Sequence, residues 1–261
     1  MCLILLAWQA HPSHPLVLAA NRDEYFARPT TAADFWIDAP ELLAGRDLSA
    51  GGTWMGATRQ GRFAALTNFR EPEKNRPEAP SRGQLVSDFL LGTMTAAVYL
   101  DELSHRADAY NGFNLLCGNV ANELWHFSNR IERGEPRRLA PGIYGLSNHL
   151  LDTPWPKVAQ GKSNLANALT ALPMERPLFE LLRDTTVHDD DQLPRTGLGL
   201  EWERVLSAAF VRTPDYGTRS STLLCLDNRQ SLSFDEQTWL PGVQPGDRRR
   251  FRFKLEGSPP S

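Results

Sequence analysis

The sequence predicts an α+β protein built mainly of antiparallel sheet. Three observations carry that reading. Apolar runs rich in strand formers lie near both ends of the chain. Short proline- or glycine-containing turns separate neighbouring runs at hairpin spacing. Helical periodicity is confined to the middle of the chain.

The elements follow in order. Residues 3–9 and 15–21 are apolar strands, joined by the turn His11-Pro12-Ser13-His14-Pro15. A second hairpin spans 53–68, with Thr53-Trp54-Met55-Gly56-Ala57 and Phe63–Asn68 flanking the turn Arg59-Gln60-Gly61-Arg62. Residues 71–80 hold three prolines and several charges, the composition of an exposed loop. Ser81 with Gln84 forms a capping-box signature before Leu85, Val86, Phe89 and Leu90, which are spaced for one helical face. Thr95 caps a second helix running through Val98, Leu100 and Leu103. Strands return at 113–117 and 123–127, joined through Asn119 and Asn122. Stretches 155–172, 178–183 and 200–210 read as helices. Strands at 219–226, 230–234 and 250–255 precede a Pro/Ser tail. No repeat or linker divides the chain. The expectation is one domain over 1–261, with a flexible tail from about 256.

Composition narrows the function. Apolar residues make up 41% and charged residues 23% of the 261, as in an ordinary globular protein. The net charge of −3 supplies no global field for nucleic acid or anionic lipid. Arg248-Arg249-Arg250 is basic but reads as a strand edge or tail, and Asp189-Asp190-Asp191 as a charged loop. The apolar start is too short for a membrane span and lacks the basic lead of a signal peptide. Cytoplasm is the expected location, without a membrane partner. The sequence does not specify an oligomeric state. Cys2, Cys117 and Cys225 are too few and too far apart for a disulfide framework or a zinc knuckle. His11 and His14 lack a third metal ligand, so no metal site is expected.

Cys2 stands out chemically. Removal of Met1 puts a thiol and a free amine on one residue. The amine has an unperturbed pKa of about 7.7–8.0 and the thiol one of about 8.5. At neutral pH roughly a tenth of such amines are neutral and can take the thiol proton. The thiolate attacks a carbonyl carbon, and the amine returns the proton to the leaving group. Asn21-Arg22-Asp23-Glu24 ends the second strand, one hairpin away. Alone, these four polar residues read as a solvated turn. Beside Cys2, Asp23 can hold the ammonium, and Arg22 can lower the thiol pKa or bind an anionic substrate group.

Asn21-Arg22-Asp23-Glu24, followed by Arg28-Pro29-Thr30, resembles the signature of the NRDE family, also called the transport and Golgi organisation family. Further matches follow in order at Ala44–Asp47, Gly51–Gly56, Leu66–Arg70, Tyr144–Asn148, Asp152–Lys157 and Gly217–Thr222, covering most of the chain. That family resembles the cysteine N-terminal nucleophile hydrolases, which include penicillin V acylase and bile salt hydrolase. The resemblance implies a four-layer αββα sandwich with antiparallel sheets. It implies Cys2 as nucleophile, Asp23 as the orienting carboxylate, Asn148 and Asn68 as oxyanion donors, and Arg219 as the late arginine. Asn68 is matched by order alone. Arg22, Trp54 and His149 are the expected substrate-binding residues. One spacing departs from the pattern. The acylases place two residues between arginine and aspartate, whereas Arg22 and Asp23 are adjacent. Ala20 then falls at the arginine position, and Arg22 points to the strand face opposite Asp23.

Two functions follow as expectations. One is hydrolysis of a small amide or acyl metabolite through Cys2 after Met1 removal. The other is carriage of haem or another hydrophobic metabolite in the same cleft without catalysis, since the family is linked to haem trafficking. Catalysis needs no cofactor. Noncovalent haem would be a ligand, with Cys2, His11, His126 and His149 as candidate axial groups.

Overall fold

In a computed structural model of the chain, residues 2–131 and 134–256 are described. Met1 and the expected tail beyond residue 256 lie outside them. The first hairpin is β1 (Cys2–Trp8) and β2 (Leu16–Tyr25). A meander follows: β3 (Thr30–Trp36), β4 (Ala39–Asp47), β5 (Met55–Thr58) and β6 (Arg62–Asn68). Helices α1 (Gly83–Leu91) and α2 (Ala96–Ser104) precede β7 (Phe113–Asn119), β8 (Glu123–Ser128), β9 (Arg137–Arg138) and β10 (Gly142–Leu146). Then come α3 (Pro156–Leu169), α4 (Arg176–Leu182) and α5 (Leu200–Val205). The last strands are β11 (Tyr216–Leu226), β12 (Ser231–Leu240) and β13 (Gln244–Lys254).

Two antiparallel sheets result. One has the order β10-β1-β2-β11-β12-β13, the other β3-β4-β5-β6-β7-β8-β9. Three apolar clusters define four layers. Ile4, Leu6, Trp8, Leu18 and Ala20 meet Met55, Phe63, Ala65 and Leu116 between the sheets. Leu3, Leu5, Ala7 and Val17 pack outward on α3 and α4 through Val158, Leu165 and Leu178. Leu66, Leu115 and Cys117 pack on α1 and α2 through Leu85, Phe89 and Leu100. The layers run helix, sheet, sheet, helix. Strand β1 is therefore covered on both faces, which is why it reads as an unbroken apolar run. Each Leu buried there contributes about 1.5–3 kcal/mol.

Several local expectations change. Helix α1 starts at Gly83 with Arg82 as N-cap, and Ser81 makes no capping bond. Gln84 instead accepts from the Ser87 hydroxyl at 3.1 Å, so the capping box is not formed. Thr95 does cap α2, accepting from the Val98 N–H at 3.4 Å. Residues 21–24 end the second strand as expected, within β2, and are not the solvated turn they suggest in isolation. Asn21 is fully buried there, donating to the carbonyls of Leu182 (2.7 Å) and Ala209 (2.8 Å) and accepting from Ser221 Oγ (2.6 Å). Its partners lie far along the chain, which hides them from local reading.

Candidate active site

Many strand ends meet at one end of the sandwich. The start of β1, the ends of β2, β6 and β12, and the starts of α1, β3 and β11 surround a cleft of about 700 Å³. Cys2, Arg22, Asp23, Trp54, Asn68 and Arg219 line it. Asn148 and His149 do not.

Cys2 opens β1 and pairs directly with Arg22 on β2. Opposed residues of an antiparallel pair share a face. The Cys2 side chain therefore shares the inter-sheet face with Ile4 and Ala20, beside Arg22. Asp23 projects to the helix-covered face, as adjacent strand residues must. The 22–23 adjacency thus puts the arginine, not the aspartate, on the face of the thiol. The Cys2 carbonyl accepts from Ser147 Oγ at 3.0 Å, which fixes the strand start against the end of β10.

Behind this face lies a buried charge network. Asp23 Oδ1 accepts from Thr218 Oγ1 at 2.7 Å, and Tyr216 donates its hydroxyl to the Asp23 carbonyl at 3.2 Å. Lys157 Nζ donates to the Leu206 carbonyl at 2.8 Å. Arg70 Nη1 pairs with Glu203 Oε2 at 2.6 Å, both side chains buried. Burial pushes the Asp23 carboxyl up, opposed by the charge of Lys157. Burial lowers Lys157 to about 8, opposed by Asp23. Burial also pushes the Cys2 thiol up; the charge of Asp23 adds to this and Arg22 opposes it. Each shift has the sign expected where loss of water outweighs pairing.

The amides sit on the other wall. Asn68 ends β6 and lines the cleft. Asn148 is fully buried behind it, donating Nδ2–H to the Asn68 carbonyl at 2.9 Å. The Asn148 carbonyl accepts from the Arg70 N–H at 2.8 Å. Asn148 thus holds the strand end that carries Asn68. His149 is drawn away from the cleft. Its ring lies against Phe69 (4.7 Å between centroids) and Trp155 (5.8 Å), with Nδ1 2.9 Å from Thr153 Oγ1.

Arg219 occupies a bulge, the extra residue between Thr218, opposite Asp23, and Ser220, opposite Arg22. It donates to the carbonyls of Tyr25 (2.8 Å) and Arg28 (3.0 Å) and to Thr30 Oγ1 (3.2 Å). It fastens the β2–β3 connection at the cleft rim. Trp54 lines the wall where Gly51-Gly52 approaches α1. Gly51 has a φ of 78°, and a Cβ on Gly52 would lie 2.6 Å from the Gly83 carbonyl carbon. Only glycine fits this close approach ahead of β5.

Sequence reasoning missed Arg82, Lys157, Thr218 and the Arg70–Glu203 pair. Arg70, Lys157 and Thr218 each stand inside a quoted motif, which was their available signal. Arg82 carries none. Among the described residues no group of three or more His, Cys, Asp or Glu could hold a metal ion. Of the candidate haem ligands only Cys2 lines the cleft. His126 is buried within β8, with its pKa lowered by burial to about 4. His11 belongs to the first hairpin turn, with Nδ1 3.3 Å from the Ser13 hydroxyl. No helix among the described residues is long and apolar enough to cross a membrane.

Comparison with known proteins agrees with the architecture. The family model for Transport and Golgi organisation 2 matches residues 1–241. The Transport and Golgi organization protein 2 homolog of Bos taurus is 40% identical over 261 residues, covering 92% of this chain and 94% of that one. The Homo sapiens homolog is 35% identical over 278 residues, covering 98% and 100%. Among solved structures, the Caenorhabditis elegans ortholog of N-acylethanolamine-hydrolyzing acid amidase superposes with a TM-score of 0.52 at 11% identity, covering 85% of this chain and 92% of that one. At that identity the likeness concerns the fold, which is of the N-terminal nucleophile hydrolase type.

Proposed function

The chain belongs to the Transport and Golgi organisation 2 family, and from that membership and the cleft geometry we propose a cysteine N-terminal nucleophile amidohydrolase acting on a small amide or acyl metabolite. The observation that carries the reading is Cys2 at the start of β1, facing a cleft shared with Arg22 and Asn68, with Asp23 buried behind it. Removal of Met1 frees the Cys2 amine. That amine takes the thiol proton, and sulfur attacks the carbonyl carbon. Asn68 donates to the resulting oxyanion, held in place by Asn148. The C–N bond breaks as the ammonium returns its proton to the leaving amine. Water then attacks the thioester and gives a proton to the amine; the C–S bond breaks, the Cys2 sulfur takes that proton back, and a carboxylic acid is released. Asp23 orients the ammonium.

Carriage of haem or a hydrophobic metabolite draws less support, because the cleft is lined by many charged groups and by Cys2 alone among the candidate axial ligands. The test is intact mass spectrometry. The protein lacking Met1 should gain one acyl mass from an activated acyl donor, and Cys2→Ala should not. Absence of both adduct and turnover across a broad panel of amides would overturn the proposal.

A further inference from the structure

Six arginines line the cleft: Arg22, Arg28, Arg46, Arg76, Arg82 and Arg219. Four of them are committed within the fold. Arg28 pairs with Asp47 at 2.7 Å, and Arg46 with Asp38 at 2.7 Å. Arg76 donates to the carbonyls of Asp108 (2.7 Å) and Tyr110 (3.0 Å), and Arg219 holds the β2–β3 connection. The remaining two are not used up. Among the described residues the one ion pair of Arg22 is with Glu24, at 3.8 Å, longer than a hydrogen bond. Glu24 already accepts its neighbour's Tyr25 N–H at 2.9 Å. Arg82 donates through Nη1 to the Gly112 carbonyl at 2.9 Å and makes no ion pair among the described residues.

We propose that Arg22 and Arg82 form an anion subsite beside Cys2, so that the molecule attacked by this thiol carries a carboxylate or a comparable oxyanion near its reacting carbon. The inference rests on the reading of Cys2 as a nucleophile. Arg22 stands opposite Cys2 in register, and Arg82 caps α1 on the facing wall. Two carboxylates stand on the thiol side here, Glu24 and the buried Glu236, which accepts from the Ala33 N–H at 2.7 Å and the Thr222 hydroxyl at 3.4 Å and whose carboxyl is pushed up by burial, the charge of Arg22 opposing. Neither guanidinium makes a hydrogen-bonded ion pair with either carboxylate among the described residues, so both keep donors turned to a partly desolvated cleft, a costly arrangement without an anion to meet them. The Cys2 thiol does not supply that anion at rest, since burial pushes it up. Burial lowers the Arg82 guanidinium, and the charge of Cys2 is the largest influence opposing it, which agrees with a shared corner. Guanidinium forks bind planar carboxylates bidentately, so the subsite also orients what it binds.

The test uses two alkylating reagents of nearly equal size, neutral iodoacetamide and anionic iodoacetate. In both, the Cys2 sulfur displaces iodide from the CH2 carbon. Rates at Cys2 are read by peptide mass spectrometry on the full chain lacking Met1, with glutathione as the reference thiol. The iodoacetate-to-iodoacetamide rate ratio at Cys2 should exceed that of glutathione by about tenfold, as one charge-assisted contact allows. The excess should shrink with added salt. It should fall several-fold in Arg82→Gln and in Arg22→Gln, and persist in Arg82→Lys. A wild-type ratio equal to that of glutathione would overturn the subsite and leave the nucleophile reading standing, and this needs no variant to fold. A preference unmoved by either glutamine variant would also overturn it. Cys2 inert to both reagents would overturn the nucleophile reading, and the subsite with it.

Discussion

The Arg70–Glu203 pair makes the sharpest prediction about stability. Its side chains are 2% and 5% exposed, and Nη1 stands 2.6 Å from Oε2. The other Glu203 oxygen accepts the Thr196 N–H at 2.9 Å and the Thr196 hydroxyl. The Arg70 guanidinium also lies 4.7 Å over the Trp155 ring. Glu203→Leu strands a buried guanidinium, a change that costs about 3–5 kcal/mol. Thr196 loses its acceptor as well, adding about 1 kcal/mol. Arg70→Met strands the carboxylate at a similar cost. The double variant removes both charges, so its loss should be only about 1–2 kcal/mol, below either single. Urea is the appropriate denaturant, because guanidinium salts screen the interaction under study. At about 2–4 °C per kcal/mol for a chain of this size, each single should melt about 6–20 °C below wild type. Singles that lose under about 1 kcal/mol, or a double that equals their sum, would refute the reasoning. Either result would mean that water reaches the two charges.

Other consequences follow from the same packing. Asn21→Leu removes the bonds to Leu182, Ala209 and Ser221, so urea unfolding should show a loss of about 3 kcal/mol, and a loss under about 1 would count against it. Gly52→Ala puts a methyl 2.6 Å from the Gly83 carbonyl carbon. It should cost about 1–3 kcal/mol, because backbone cannot step aside as a side chain can; an unchanged urea midpoint would show that α1 is free to move. Lys157 is lowered from its ordinary 10.5 to about 8. The unfolded chain therefore binds the extra proton between those values, and stability should rise with pH across that window. The full penalty, on the order of 3 kcal/mol, is present below pH 8 and relieved by about 10.5. A wild-type urea midpoint that tracks Lys157→Met at every pH in the window would contradict it.

Much of the fold was legible in the sequence where local pattern and final environment agree. Strand β1 reads as strand because both its faces are apolar and both are covered. The 53–68 hairpin reads through its glycine turn. Strands β3 and β4 do not, because Thr30, Thr31, Arg46 and Asp47 face the cleft and break the alternation. Asn21 and Asp23 look like solvent residues until their partners arrive from Leu182, Ala209 and Thr218, elsewhere along the chain. For the site, Cys2, Arg22, Asn68 and Arg219 reach the cleft as their motifs suggest. His149 does not, because Phe69 and Trp155 offer its ring a better surface. Arg82 carried no signal, since an arginine beside a helix start is ordinary until a cleft is found in front of it.

The division of strands between the two sheets bears on how the protein is made. One sheet is contiguous, β3 to β9, and can close while the ribosome is still adding residues. The other joins β1 and β2, from the start of the chain, to β10 at Gly142–Leu146 and to β11, which begins at Tyr216. At about 5–20 residues per second, roughly 10–40 s pass between the emergence of β2 and that of β11. Strand β1, the bearer of the thiol, has β2 beside it from the start but lacks β10 until Leu146 is made, and β2 lacks β11 throughout the interval. A nascent chain paused near residue 140 should therefore expose its N-terminal segment to chaperones and oxidants. The cleft around Cys2 is complete only once Arg219, Glu236 and Thr238, late in the chain, have been made.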